Sequence, residues 1–181
     1  MEATMQERVF EDCAMPESLE EIYNQYYKNV YRYILFRINH HHDAEDLANN
    51  VFVKAIRYQK NFNPRYSMEA WLIGIAKNTV TDYQRKNMGL NFVPLESAAR
   101  LNSTGSQPEE IAVANEEAKQ LVAAMAKLKD KERQILSMKF ATDLKHKEIA
   151  NVLGISEVNA RVSAHLALNK LKKYMEESNE K

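Results

Sequence analysis

The 181-residue chain has a single cysteine, four glycines, four prolines and no long apolar run. Each shortage excludes something. Cys13 alone can close no intrachain disulfide and can supply no multi-thiolate metal cluster. So few breakers argue against many short strands, which need a turn at every reversal. No segment approaches the roughly 18 apolar residues of a membrane span, so no membrane insertion is expected. Met1 to Glu17 is acidic and polar, lacks the apolar core of a signal peptide, and points to the cytoplasm. No Ser/His/Asp set, paired carboxylates or phosphate-cradling glycine loop stands at usable spacing. Neither catalysis nor a cofactor is expected. What remains is 45% hydrophobic and 28% charged, which suits amphipathic helices.

The net charge is zero, but its distribution is uneven. Residues 1–88 hold 11 Lys and Arg against 12 Asp and Glu; residues 89–118 hold one against five. Residues 119–175 hold 12 against five, a net of +7, and residues 176–181 one against three. An acidic spacer therefore precedes a basic module, and the basic module is the candidate for nucleic acid.

Periodicity divides the chain further. Ser18 and Glu21 form a capping box ahead of Ile22, Tyr26, Val30, Ile34 and Ile38, an apolar stripe at helical spacing. Asn39 to His42 break the run. Asp43 is expected to cap a second helix with Leu47, Val51, Phe52, Ala55 and Tyr58 on its apolar face. Asn61 to Tyr66 form a loop, since Pro64 lacks an amide hydrogen and restricts Asn63. Ser67 caps a third helix bearing Trp71, Leu72, Ile75, Thr79 and Tyr83, with Trp71 read as core. The polar stretch through Asn102–Ser106 reads as a flexible linker. A second capping box, Ser106 to Glu109, opens helices at 111–128, 131–140, 145–153 and 157–175. The architecture expected is all-α: an acidic arm (1–17), a helical bundle (18–89), a linker (90–108), a second helical module (109–175) and a tail (176–181).

The sharpest local signal is Lys147 to Ser156. Ala150 is small where two helices must cross closely, and Gly154, four residues later, tolerates the positive φ of a tight turn. Ile149, Leu153 and Ile155 fill the junction, and Ser156 caps the next helix. This is a helix-turn-helix, whose second helix enters the major groove. Glu157, Asn159, Arg161, Val162 and His165 point outward, while Ala160, Ala164, Leu168 and Leu171 fit the inward face. Lys145 and Lys147, with Lys170, Lys172 and Lys173, suit phosphate contacts, which fix register without reading sequence.

These motifs resemble the extracytoplasmic-function (ECF) sigma factors, in which a region-2 domain and a region-4 domain flank a linker. The segment Asp43 to Ala55 resembles the family's polymerase-binding helix, which implies core RNA polymerase as a partner through Asp43, Glu45, Asp46, Asn49 and Asn50. The family usually has Gln-Glu where this chain has Asn49-Asn50. Phe62, Trp71 to Asn78, Asp82-Tyr83 and Arg85-Lys86 resemble the promoter-melting segment, implying −10 DNA contacts by Asn61, Phe62, Asn63, Arg65, Tyr66, Lys77, Asn78, Arg85 and Lys86. Aromatic faces stack on extruded bases, amides pair with base edges, and cations meet phosphates. Leu128 to Leu136 and the helix-turn-helix resemble region 4, implying −35 contacts by Lys145, Lys147, Ser156, Glu157, Asn159, Arg161, Val162 and His165. Family members often carry Arg where this chain has Ser163, Leu166 and Leu168, so weaker or more partner-dependent −35 binding is expected. The resemblance also implies an anti-sigma partner, and a linker whose Glu96, Glu109 and Glu110 imitate the transcript backbone.

Other signals carry less. His40-His41-His42-Asp43 reads as a polar loop, and no metal site is expected from consecutive residues. Eight of nine tyrosines lie between Tyr23 and Tyr83 and cannot all stack on bases. Two rival readings are a stand-alone helix-turn-helix regulator and a polymerase adaptor that never melts DNA. The Asp43–Ala55 and Phe62–Lys86 segments speak against the first.

Overall fold

The computed structural model describes residues 18–87 and 118–179. The N-terminal arm, the linker, the Ser106–Glu109 capping box and the start of the helix expected from 111 lie outside them. Among the described residues the fold is all-α, with no strand, as the sequence predicts. No described helix is long and apolar enough to cross a membrane.

Helix α1 (Leu19–Ile38) starts where its sequence dictates. Ser18 Oγ accepts the Glu21 N–H at 3.2 Å, and Glu21 Oε2 accepts the Ser18 N–H at 2.9 Å. It stops at Asn39, whose φ of 55° turns the chain left-handed while its N–H bonds Leu35 O. That reversal corrects one expectation. Helix α2 (His41–Tyr58) begins two residues before Asp43, and His40 is its cap, with Nδ1 accepting the Asp43 N–H at 3.3 Å. Because Asn39 reverses the chain alone, no longer loop is needed, and His41 and His42 fall in the first helical turn. A short 3-10 turn (Gln59–Asn61) then leads into the loop before α3 (Met68–Lys86). Ser67 caps α3 by accepting the Ala70 N–H at 3.3 Å.

The first three helices pack around Val30, Ile34, Ala48, Val51, Leu72 and Ala76, all fully buried. Ala48 and Ala76 let the helices approach closely, and the larger aliphatics fill the space between them. Tyr58, placed on the apolar face by its spacing, is instead 51% exposed, because α2 ends there. Trp71 is only partly buried, edge-to-face with the buried Phe62 at a centroid distance of 5.4 Å.

Among the described residues, four helices form the second module. Helix α4 covers residues 118–126; α5 is Asp130–Ala141, α6 His146–Leu153 and α7 Glu157–Asn179. Val122, Met125, Leu136, Ile149, Ala160 and Leu171 are its buried core. The two modules share a face, for α1 packs on α5 as well as on α2 and α3. This explains a feature that a one-sided stripe does not: every residue from Tyr33 to Ile38 is buried. At 100° per residue, six consecutive buried positions go all the way round a helix.

Candidate nucleic-acid interface

The helix-turn-helix is built as its residues require. Gly154 holds φ +69° at the end of α6, and its N–H and that of Ile155 return to Asn151 O and Ala150 O. Ala150 is buried at the crossing. Ser156 Oγ accepts the Asn159 N–H at 3.2 Å, opening α7. Ala160, Ala164, Ala167 and Leu171 face inward, with Leu168 partly buried beside them. Glu157, Asn159, Arg161, Val162 and His165 are exposed along the outward face, as are Lys145, Lys147 and Ser156 ahead of it. Two local pairs order that face: Arg161 with Glu157 at 3.0 Å, and His165 with Asn169 at 3.2 Å. Val158 (68% exposed), Val162 and Leu166 form an apolar ridge between them. Lys170 bonds Glu132 on α5, which holds that carboxyl below its ordinary range.

The loop before α3 is folded by its own amide. Asn63 Oδ1 accepts the Arg65 N–H at 3.0 Å and Asn63 O accepts the Tyr66 N–H at 3.0 Å, so the residues around Pro64 form a fixed turn. Asn61, Asn63, Arg65 and Tyr66 are exposed. Phe62 is not: it is 8% exposed, packed on Trp71. Of the two candidate stacking aromatics, the accessible one is Tyr66. Arg65, Tyr66, Lys77 and Asn78 converge on one wall of a groove of about 850 Å³ between α3 and α6. Lys147, Asn151 and Gly154 form the other wall. Arg85 and Lys86 are exposed at the far end of α3, roughly 13 Å along the helix from Lys77, and do not line this groove.

On α2, Asp46, Asn49 and Asn50 are exposed opposite Ala44, Ala48, Val51 and Ala55. Asp43 and Glu45 on the same helix are tied down. Asp43 accepts the Tyr83 hydroxyl across to α3, and burial together with that carboxylate pushes the Tyr83 phenol up to about 12. Glu45 pairs with His41 at 3.5 Å, and Tyr23 OH reaches Asn49 Oδ1 at 3.3 Å. His41, His42 and Glu45 each offer one donor atom within 4.8 Å of the others. Donors around a tetrahedral zinc stand only about 3.3 Å apart. These side chains also sit at the positive end of the α2 dipole, which disfavours a cation.

Sequence reasoning missed the residues joining the modules. Arg37, 2% exposed, pairs with Asp130 at 2.9 Å and donates to Asp130 O at 3.0 Å. Arg32 donates to Phe140 O at 3.0 Å. The buried Glu69 accepts Asn29 Nδ2 at 2.7 Å and the Asp143 N–H at 3.4 Å; burial raises its carboxyl above the ordinary range. The available signal was Arg37 itself, a cation inside the otherwise apolar run Tyr33–Ile38.

Comparison with known proteins matches two family models to the two modules: Sigma-70 region 2 over residues 22–89 and Sigma-70 region 4 over residues 118–171. RNA polymerase sigma factor YlaC of Bacillus subtilis is 32% identical over 165 residues, covering 91% of this chain and 95% of its own length. ECF RNA polymerase sigma factor SigX of the same organism is 24% identical, covering 90% and 86%. In fold, the chain is similar to the sigma factor RpoE of Bartonella quintana, solved with the anti-sigma factor NepR. The TM-score is 0.66 at 18% identity, over 87% of this chain and 96% of that one.

Proposed function

The chain belongs to the sigma-70 family, in its extracytoplasmic-function group, and from that premise we propose how its surfaces divide the work of promoter-specific initiation. The exposed α2 face (Asp46, Asn49 and Asn50, with Asp43 and Glu45) binds core RNA polymerase. The loop and wall formed by Asn61, Asn63, Arg65, Tyr66, Lys77 and Asn78 hold the −10 element, with Tyr66 as the stacking face and Phe62 bracing the loop from beneath. Arg85 and Lys86 meet the duplex backbone further along α3. Helix α7 reads the −35 element through Glu157, Asn159, Arg161, Val162 and His165, while Lys145, Lys147 and Ser156 sit on phosphates. Domain limits follow the same division: region 2 over 18–89, region 4 over 109–175, with 90–108 between. The protein works by binding alone, in the cytoplasm, without making or breaking a covalent bond. The observation that carries this reading is one chain holding a capped three-helix bundle beside a helix-turn-helix with a buried Ala150 and a left-handed Gly154.

An anti-sigma factor is the expected regulator. SigX is named an ECF sigma factor, and RpoE of Bartonella quintana was solved in complex with NepR. A protein of that kind would cover the exposed α2 face and the apolar ridge of α7.

The test is run-off transcription with core polymerase and a genome-wide template pool. Initiation on a subset of promoters is the expected result; failure on every template sinks the reading. Replacing Asn61, Asn63 and Tyr66 together by Ala then separates the adaptor alternative. A sigma factor loses open-complex formation while keeping polymerase, whereas an adaptor keeps its whole activity.

A further inference from the structure

The side chains that point most directly away from the core face of α7 are apolar. At 100° per residue, Val158 and Val162 lie within about 30° of the direction opposite Ala160, Ala164, Ala167 and Leu171. Both are exposed, and Leu166 continues the ridge one turn later. Helix propensity does not account for them, since valine is a poorer helix former than the alanine or lysine suited to a solvated face. Polar groups flank the two valines. Arg161, held by Glu157 at 3.0 Å, stands with His165 on one side, and Asn159 stands on the other.

Alone, this ridge offers only a few hundred Å², against the roughly 800 Å² that each partner gives to a stable protein interface. Its surroundings suit a polyanion: residues 119–175 carry a net +7, and Lys145 and Lys147 are exposed just ahead of α7. The major groove shows an approaching helix a pattern of donors and acceptors in which the thymine C5-methyl is the apolar group. A valine set against a G·C pair takes water from polar edges and returns no hydrogen bond. Set against a thymine methyl, it buries apolar surface on both sides.

Resting on the reading of α7 as the −35 helix, we infer that Val158 and Val162 select thymine by contact with its C5-methyl group. The two valines are four residues apart, about 6 Å along the helix, and base pairs rise about 3.4 Å each. For a helix lying along the groove, the methyls they read belong to pairs no more than two steps apart, on either strand. Leu166, a further turn along, has passed these bases.

The experiment uses the full chain bound to core polymerase. The probe is the −35 duplex that this holoenzyme selects from a pool randomised at that element. Each thymine in turn is replaced by uracil, which pairs identically but lacks the methyl, and binding is read by fluorescence anisotropy across a salt series. Burying one methyl is worth about fourfold in affinity. Uracil at one or two positions within three adjacent pairs should therefore weaken binding about fourfold, with the salt slope unchanged because a methyl releases no counterion. Val158→Ala and Val162→Ala should each weaken binding to the thymine duplex and remove the uracil effect at one position. Alanine is the better helix former, so α7 stays folded in both variants. Equal binding of thymine and uracil duplexes, or a uracil effect that survives both alanine variants, overturns the inference. Failure of the underlying −35 reading looks different and ends both: the holoenzyme would select no sequence from the pool.

Discussion

Replacing Leu166 by Arg should turn part of the outward face of α7 into a phosphate contact. Leu166 is 57% exposed, one turn beyond Val162 and two beyond Val158, on the side away from Ala160, Ala164 and Ala167. No core packing is lost by the change, so its effect is electrostatic. A helix seated in the major groove has its later turns near the backbone, where one arginine neutralises roughly one phosphate and releases about 0.9 of a counterion. The slope of log affinity against log salt should steepen by about 0.9, and affinity at about 0.15 M salt should rise about fivefold. The assay is fluorescence anisotropy of the polymerase-bound protein on a −35 duplex across a salt series. Leu166→Gln is the control, since it removes the apolar surface without adding charge. If Arg and Gln behave alike, or the slope does not move, the outward face of α7 does not lie along the phosphates and the −35 assignment fails.

Three further changes probe the frame. Gly154→Ala places a Cβ that meets nothing within 4 Å, so only the φ of +69° opposes it. It should cost about 1 kcal/mol in urea unfolding, with Gly154→Asn costing less; a loss several times larger would mean the turn is held by something else. Glu69→Gln keeps the oxygen that accepts Asn29 and Asp143 and removes a charge that burial opposes. The folded carboxyl lies above its unfolded value, so its stabilising contribution is full below the unfolded value and lost as pH rises through the folded one. The variant should match or exceed wild type in Tm at neutral pH, with the difference closing on acidification; a lower Tm at neutral pH would contradict this. Tyr83→Phe removes the bond to Asp43 and should cost about 1 kcal/mol in thermal unfolding. An unchanged Tm would show that α2 and α3 are not tied there.

The parts legible in the sequence are those set by local chemistry. Ser18 with Glu21, Ser67, and the Ala150–Gly154 spacing specify their caps and turn within a few residues, and the structure repeats them. His40 was harder. A histidine cap is set by the reversal at Asn39, and nothing in His40–Asp43 separates it from an Asp43 cap. Phe62 was ambiguous for another reason: an aromatic beside a loop fits a stacking face or a core plug equally well. Only the position of Trp71 decides between them. The contact between modules was illegible because it joins residues about 90 apart, such as Arg37 and Asp130, across residues 88–117, which the structure does not describe. Pattern reading assigns each helix one apolar stripe, whereas α1 serves two neighbours at once.

The burial pattern also separates the two proposed DNA-binding faces. The outward residues of α7 are exposed while the modules are packed together, whereas Lys77, on the proposed −10 surface, is bonded to Val152 of α6 across the groove. The +7 module therefore keeps its proposed recognition helix exposed, while the Lys77 side of the proposed −10 surface packs against α6. Phosphate attraction acts on that helix in either state and falls steeply with salt. Melting the −10 element instead requires region 2 to be uncovered and a base to be held outside the stack, at a cost of a few kcal/mol. It follows that free protein should bind duplex only in a salt-sensitive way, with little preference for a −10 sequence, and that preference should appear only with core polymerase. Competition binding on duplexes with and without a −10 motif, with and without polymerase, separates the terms. A −10 preference in the free protein would mean that region 2 is open from the start.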